Sequence, residues 1–502
     1  MISKVLIANR GEIAVRIIRS CRELNIPAVA IYSEADRTAP HVLMADEATC
    51  IGPPPSIDSY LNVDHILEAA RSTKADAIHP GYGFLAENAA FAQAVLDAGI
   101  TWVGPDPQTL ELMGDKVSAR RLAQESGAPI IPGGVEPTAD IKAAEAIASE
   151  VGYPILIKAA GGGGGKGMRI VVNPNELPPA FKRARSESAS TFADERVYVE
   201  KVIEQPHHVE IQVFADRAGN VVSFGERECS VQRRYQKIIE ETPSPFITPE
   251  VKEELSKLAV IIATACGYTG AGTVEFLVDK NQRFYFLEMN TRLQVEHPIT
   301  EMVTGFDLVA EQIQVASGKS LTFGQEDIRP RGHALECRIY AEDGFDNFTP
   351  STGRVLELTT PGGVGIRLDH GIREGLEITP HYDPILGKLC TWGRTRREAI
   401  NRMTRALEEL RIVGVRTTVP FCMAVMSHPV FKQGDYCTSF IADYGDDLQT
   451  WAANNKDSLD EIAALGAALF STAEKSKSPD RPDARLSNSA WLRIGREEQI
   501  SR

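Results

Sequence analysis

The first hundred or so residues alternate short apolar runs with stretches of helical periodicity. Val5 to Ala8 reads as a strand, and Glu12 to Leu24 follows as a helix with Ile13, Ile17, Ile18 and Leu24 on its apolar side. Ala28 to Tyr32 is the next strand, with Ala75 to Ile78 and Thr101 to Val103 further on. Strands separated by helices imply a parallel sheet with helices on its faces. Asn9-Arg10-Gly11-Glu12 lies at the first strand-to-helix junction, where open α/β sheets tend to place ligands. Without G-x-G-x-x-G it does not read as a dinucleotide site.

Further along the pattern changes. Tyr153 to Ala159 is a strand that runs into Gly161-Gly162-Gly163-Gly164-Gly165-Lys166-Gly167, and Met168 to Val172 is apolar again. Five consecutive glycines are entropically costly to order, and their backbone can approach a phosphate closely. The flanking strands favour a hairpin lid over a flexible linker. The motif is not a P-loop, because Lys166 is followed by Gly167 rather than Ser or Thr. Val197 to Ile203 reads as a strand leading into a connection, and His208 to Val213 alternates as a half-buried strand should. Ala334 to Tyr340 and Gly353 to Leu358 are later strands, and Arg396 to Leu410 is a helix.

Phe286 to His297 places Glu288, Asn290, Arg292, Gln294 and Glu296 at every second position. If the strand persists, all five share one face. Val274 to Val278 is the preceding strand and Asp279 to Arg283 a turn, so a hairpin centred between Asn281 and Gln282 sets Glu275 opposite Glu288. Like charges across a ladder are unfavourable, and a cation between them resolves the conflict. With Asn290 they form a hard oxygen set suited to Mg²⁺ or Mn²⁺. A surface hairpin with scattered charges is the plainer alternative. Lys116 and Lys158 are candidate phosphate ligands, and Glu200 with its neighbouring backbone a candidate for an adenine edge. The basic run from Glu226 to Lys237 is either a charged turn or an anion site facing the carboxylates.

Composition narrows the choices. The 502 residues are 43% hydrophobic and 24% charged, ample for several domains. A net charge of −14 argues against nucleic acid as the main partner. The eight cysteines are scattered without a C-x-x-C pair, as reduced core residues of a cytoplasmic protein would be. No signal peptide and no membrane-length apolar run is evident. Ser471 to Ser489 is rich in Ser, Lys, Asp and Pro and reads as flexible, with Ala490 to Ile494 a possible docking segment.

Together, the runs Ile7 to Ala14, His79 to Asn88, the glycine lid, Phe286 to His297 and Glu336 to Glu342 closely resemble biotin carboxylase, the ATP-grasp subunit of biotin-dependent acetyl-CoA and acyl-CoA carboxylases. The resemblance runs from residue 1 to about 445. It implies an α/β and α+β multidomain fold: a parallel-sheet N-terminal domain (1–113), an ATP-grasp domain (114–330, lid about 131–203), a C-terminal domain (331–446) and an extension (447–502). It implies that ATP phosphorylates bicarbonate to carboxyphosphate and that the carboxyl group passes to biotin on a separate carrier protein.

By the same resemblance Glu275, Glu288 and Asn290 are metal ligands for two divalent ions. Lys116, Lys158, Gly164, Gly165, Glu200, Lys201, Val202, Ile203, His208 and Tyr235 contact the nucleotide. Lys237, Arg292, Gln294 and the Val295 backbone form the bicarbonate pocket. Glu296 is the base, kept ionised beside Arg292. Arg338 stabilises the biotin anion, and Tyr82 lies near the biotin ring. Tyr235 departs from the family, where many members carry His. No Met-Lys-Met is present, so the biotin carrier is another polypeptide, as is the carboxyltransferase, and a homodimer is expected. The sequence does not name the final acceptor, a choice that belongs to the carboxyltransferase; the simplest expectation is acetyl-CoA, with propionyl-CoA or pyruvate as alternatives. Another ATP-grasp ligase and a non-catalytic nucleotide-binding subunit are the remaining readings.

Overall fold

Five strands build the first sheet: β1 (Val5–Ile7), β2 (Ala28–Ser33), β3 (Glu47–Gly52), β4 (Ala77–His79) and β5 (Thr101–Trp102). They are parallel, in the order β3-β2-β1-β4-β5. Alternation along β1 sends Val5 and Ile7 to one core with Ile13, Ile17 and Ile18 of helix α1 (Gly11–Glu23). Leu6 and Ala8 go to the opposite core with Ile66, Phe91 and Trp102. Strand β3 escaped the sequence reading because it is an edge strand whose only buried residue is Ile51. The polar junction after β1 is used internally. Asn9 donates to the Pro80 and Tyr82 carbonyls at 2.7 Å each, and Arg10 pairs with Asp36.

The computed structural model describes residues 2–134, 136–159, 168–192 and 195–455. Strands β6 (Ile155–Ala159), β7 (Arg169–Val171) and β8 (Val197–Lys201) form a small antiparallel sheet in the order β7-β6-β8. Ile155 pairs with Val171 and Ile157 with Arg169, as the expected hairpin requires. Gly164, Gly165 and the rest of the glycine run lie outside the described residues.

The third sheet has eight antiparallel strands. Its first six are β13 (Phe284–Asn290), β12 (Gly270–Val278), β9 (His207–Ala215), β10 (Val221–Arg233), β11 (Gln236–Thr242) and β14 (His333–Tyr340), in that order. Ile385–Gly393 and Ile366–His370 complete it. The sheet is continuous across residue 330, since β11 pairs with β14. Val209, Ile211 and Val213 of β9 pack with Val274, Phe276 and Val278 of β12 under the helix Pro249–Ala265.

Two expectations are corrected here. Every residue of β9 is buried, because it sits inside the sheet and its polar face is covered too. Gly353 to Leu358 is not one strand: Gly353–Arg354 and Glu357–Thr359 pair with different partners. Six of the cysteines are buried, but Cys50 on the β3 edge is exposed. No helix among the described residues is long and apolar enough to cross a membrane. Met1–Leu448 cluster into one compact unit and Gln449–Arg502 into a second. Of the second, 449–455 are described and helical, and the segments from Ser471 to Ile494 fall outside the described residues.

Candidate active site

Because the apolar residues of β9 and β12 face the core, His208, Glu210, Gln212, Thr273 and Glu275 share the other face. Glu210 lies opposite Glu275 and Gln212 opposite Thr273. Burying such groups is costly unless each is paired. Arg227 of β10, fully buried, donates from Nε to Glu210 at 2.5 Å, from Nη1 to Gln212 at 2.7 Å and from Nη2 to Thr273 at 3.1 Å. Lys237 of β11 donates to Glu275 at 2.8 Å, to Glu296 at 2.7 Å and to Glu210. His208 Nε2 meets Glu275 at 2.8 Å. The basic run thus divides. Arg227 and Lys237 point into the site, while Arg234 and Tyr235 form the tip of the β10–β11 hairpin with positive φ, and Tyr235 is exposed.

The β12–β13 hairpin places Glu275 opposite Glu288, as the sequence predicts. It does so with a bulge after Glu275, since Phe276 pairs with Phe286. The strand then ends at Asn290, which corrects the reading of one continuous face to Glu296. Thr291 breaks the ladder by donating its N–H to Glu87, and Leu293 turns into the core. Residues 291–296 cross the polar face as a loop, and Glu296 sits at the N-cap of the helix His297–Thr304.

That loop gathers the remaining candidates. Arg292 donates to Glu87 at 2.8 Å, to Gln294 at 2.9 Å and to Asn290 at 3.2 Å. Gln294 and Asn290 each donate to Glu275 at 2.9 Å. Glu296 is fully buried, one oxygen on Lys237 and the other 2.9 Å from Arg338 of β14. Arg338 also reaches Glu240 at 2.5 Å. Arg292 is not a hydrogen-bond partner of Glu296, so its ionisation has a different cause from the one expected. Burial opposes the charge on Glu296, but Lys237 and Arg338 together hold its carboxyl well below the usual range. Burial likewise opposes the charge on Glu275, and Lys237 and His208 outweigh it. Desolvation works against the Lys237 ammonium, which the three carboxylates nevertheless push well up. Three cations (Arg227, Lys237 and Arg338) and His208, whose pKa Glu275 raises against burial, face four carboxylates (Glu210, Glu240, Glu275, Glu296).

On the other flank, Lys158 of β6 pairs with buried Glu200 of β8 at 2.5 Å, and Arg120 pairs with the same carboxylate. Burial disfavours the Glu200 charge, yet Lys158 and Arg120 bring its pKa down. The Glu200 side chain is therefore engaged, and its backbone is paired with Leu156 of β6. The Lys201 ammonium is spent on the carbonyls of Gly152 and Tyr153 at 3.0 and 2.9 Å. The N–H groups of Lys201 and Val202 bond to Pro132 and Pro154, and Ile203 is half-buried just beyond. Lys116 opens the helix Lys116–Glu125, where desolvation and the Lys158 charge lower its pKa against the pull of Glu288. Tyr82 is half-buried, its ring beneath the Lys388 ammonium at 5.7 Å.

A divalent cation fits one part of this arrangement better than another. By distance alone His208, Glu210 and Glu275 could hold a metal, as could Glu210, Cys229 and Glu296. Their carboxylates already neutralise Lys237 and Arg227, which a cation would displace. Glu288 instead is exposed to the cleft, and its pKa is raised by the protein around it and by the charge of Glu275. A cation beside it relieves that conflict, and the Asn290 amide offers a further oxygen. Sequence reasoning overlooked Arg120, Glu210 and Glu240 and gave Glu87 and Arg227 no individual role. Glu87 lay within a quoted motif, but only the fold brings it to Arg292.

Fold and site together define an ATP-grasp enzyme whose phosphoryl-transfer surface adjoins a buried cluster of carboxylates and cations. Within that class the chain belongs to the biotin carboxylase family. Residues 1–110 match the biotin carboxylase N-terminal domain, 115–323 the ATP-binding domain of the carbamoyl-phosphate synthase L chain, and 336–443 the biotin carboxylase C-terminal domain. The chain is 53% identical to biotin carboxylase 1 of Bacillus subtilis over 445 residues, covering 88% of this chain and 99% of that one. It is 46% identical over 495 residues to the propionyl-CoA carboxylase alpha chain of Ruegeria pomeroyi, covering 94% and 72%. The biotin carboxylase domain of 2-oxoglutarate carboxylase from Hydrogenobacter thermophilus, solved as a dimer with MgADP, ADP and bicarbonate, superposes with a TM-score of 0.86 at 47% identity, covering 89% and 99%.

Proposed function

We propose that this chain carboxylates biotin on a separate carrier protein, using ATP and bicarbonate through carboxyphosphate, as the first half-reaction of acetyl-CoA carboxylase. The observation that carries this reading is Glu296, ionised in a buried pocket between Lys237 and Arg338. A base held below its usual pKa removes the bicarbonate proton only when oriented at close range. Arg292 and Gln294 present donors for a small oxyanion on the same loop. Lys237 offsets charge as bicarbonate becomes a nucleophile. Lys116 and Lys158, with the glycine run, receive the phosphates, and the backbone around Ile203 receives the base. Glu288 and Asn290 would hold the divalent ions, with Glu275 joining them by giving up a contact to Lys237 or His208, and the bound ions would offset charge on the ATP phosphates. After carboxyphosphate breaks down, Arg338 steadies the biotin anion beside Tyr82.

The test is ADP release that depends on bicarbonate and is stimulated by free biotin. ATP binding without either dependence would overturn the reading. The biotinylated carrier and a carboxyltransferase are the partners it requires, with a second copy of the chain as the assembly unit. Service to propionyl-CoA is the second reading. The match to the propionyl-CoA carboxylase alpha chain spans 94% of this chain, further than the 88% matched by biotin carboxylase 1. Purifying the chain with its carboxyltransferase and comparing acyl-CoA substrates separates the two.

A further inference from the structure

We propose that Lys388 is a positioning residue for the bicarbonate site, its ammonium beside Glu12 and anchored on the carbonyl that precedes Glu296. The proposal rests on the function argued above. Lys388 lies at the centre of the strand Ile385–Gly393 and is wholly buried. Its Nζ donates to the Val295 carbonyl at 2.9 Å and lies 3.2 Å from Glu12 Oε2. Glu12 is itself buried, and neither of its oxygens has another hydrogen-bond partner.

Register shows what this pair accomplishes. Lys388 faces Arg338 across the ladder, where two like charges are unfavourable unless each has its own counter-ion. Arg338 takes Glu240 and the side chain of Glu296, while Lys388 takes Glu12 and the carbonyl of Val295 and faces Asp369 on its other ladder neighbour. Two cations side by side thus grip two atoms of consecutive residues in one loop. The carbonyl before, that of Gln294, is held by His297 Nδ1 at 2.8 Å. Burial, then the charge of Lys388, keep the His297 ring neutral. Glu296 therefore cannot shift without breaking a contact to a fully buried side chain.

Glu12 is fixed as firmly. A Cβ on Gly371 would lie 2.5 Å from the Glu12 nitrogen, so the segment after Ile366–His370 seats directly on the start of α1. The Asn9-Arg10-Gly11-Glu12 junction then has a use other than ligand binding. It supplies a carboxylate beside a lysine that orients the catalytic base. A buried lysine kept only for packing would be served as well by Met, which fills the same space without an ammonium to satisfy.

The experiment compares K388M, E12Q and the E12Q/K388M double variant by the KM for bicarbonate, kcat and the Kd for ATP. K388M raises the bicarbonate KM roughly tenfold, the loss of one charge-assisted hydrogen bond, with the ATP Kd within about twofold. The double variant removes one carboxylate that K388M strands, so it is less destabilised than K388M, yet it retains the raised KM. E12Q alone shifts KM less than K388M. An unchanged bicarbonate KM in K388M or the double variant would overturn the proposal, as would parallel loss of ATP affinity. Absence of bicarbonate-dependent turnover in the wild type would instead reject the parent reading.

Discussion

Replacing Lys237 with Met tests the charge balance at the centre of the site. The ammonium makes three contacts to buried carboxylates, Glu210, Glu275 and Glu296. At about 1.5–3 kcal/mol for each hydrogen bond to a charged group, their sum is roughly 5–9 kcal/mol. Several kcal/mol of ammonium desolvation are no longer incurred in the variant, so the net loss is about 3–5 kcal/mol near neutral pH. The pH dependence is the sharper part. In the wild type, Glu275 and Glu296 sit below their unfolded values. Their stabilisation is present above about pH 4.3 and is lost as the pH falls through the folded-state values. In K237M, Glu210, already raised by burial and by Glu296, gains a folded-state value still further above the unfolded one. The added penalty grows as pH rises from the wild-type folded value toward the new one and is constant above it, so the variant recovers relative to the wild type on acidification between those two values, by up to about 1.4 kcal/mol per pH unit for one proton taken up. Urea denaturation of both proteins at about pH 8, 7 and 6 reads the difference directly. A stability difference independent of pH would refute the reasoning.

Three further outcomes follow from the same geometry. R292A removes donors from Gln294 and Asn290 and frees Glu87; bicarbonate-dependent turnover is abolished while the ATP Kd, measured by nucleotide titration, is largely unchanged. E288Q relieves the repulsion with Glu275 but withdraws a charged oxygen, so the Mg²⁺ concentration for half-maximal turnover rises about tenfold or more, the scale of one charge-assisted contact. Glu241, buried between His333 and Arg396, has its pKa lowered to about 2 by those partners despite burial. E241Q destabilises the protein by about 3 kcal/mol at neutral pH, and wild type and variant converge in denaturation experiments as pH falls from about 4.3 to 2.

What the sequence made legible was set by locality. Strand alternation in β1, the hairpin β6–β7 and the pairing of Glu275 with Glu288 are fixed by residues near one another in the chain, and each is found. The reading failed where distant residues decide. Period two in Glu288 to Glu296 looked like one strand, yet Thr291 is bonded to Glu87, two hundred residues earlier, and the strand stops at Asn290. The His208 strand looked half-buried because its polar positions are chemically those of a surface. Only β10 and β11, arriving with Arg227 and Lys237, make that face an interior.

The same distinction explains why the expected environment of Glu296 was not the one found. Proximity in sequence suggested that Arg292 keeps Glu296 ionised. In the fold Arg292 turns to Glu87, and the two cations on Glu296 come from β11 and β14. A carboxylate paired by cations on two separate strands is placed by the sheet rather than by its own loop. Its geometry then depends on the register of β11 against β14, where Glu240 faces Glu336. Substitutions that disturb that register should impair bicarbonate activation before they affect the nucleotide flank, whose charged pair, Lys158 with Glu200, belongs to a different sheet.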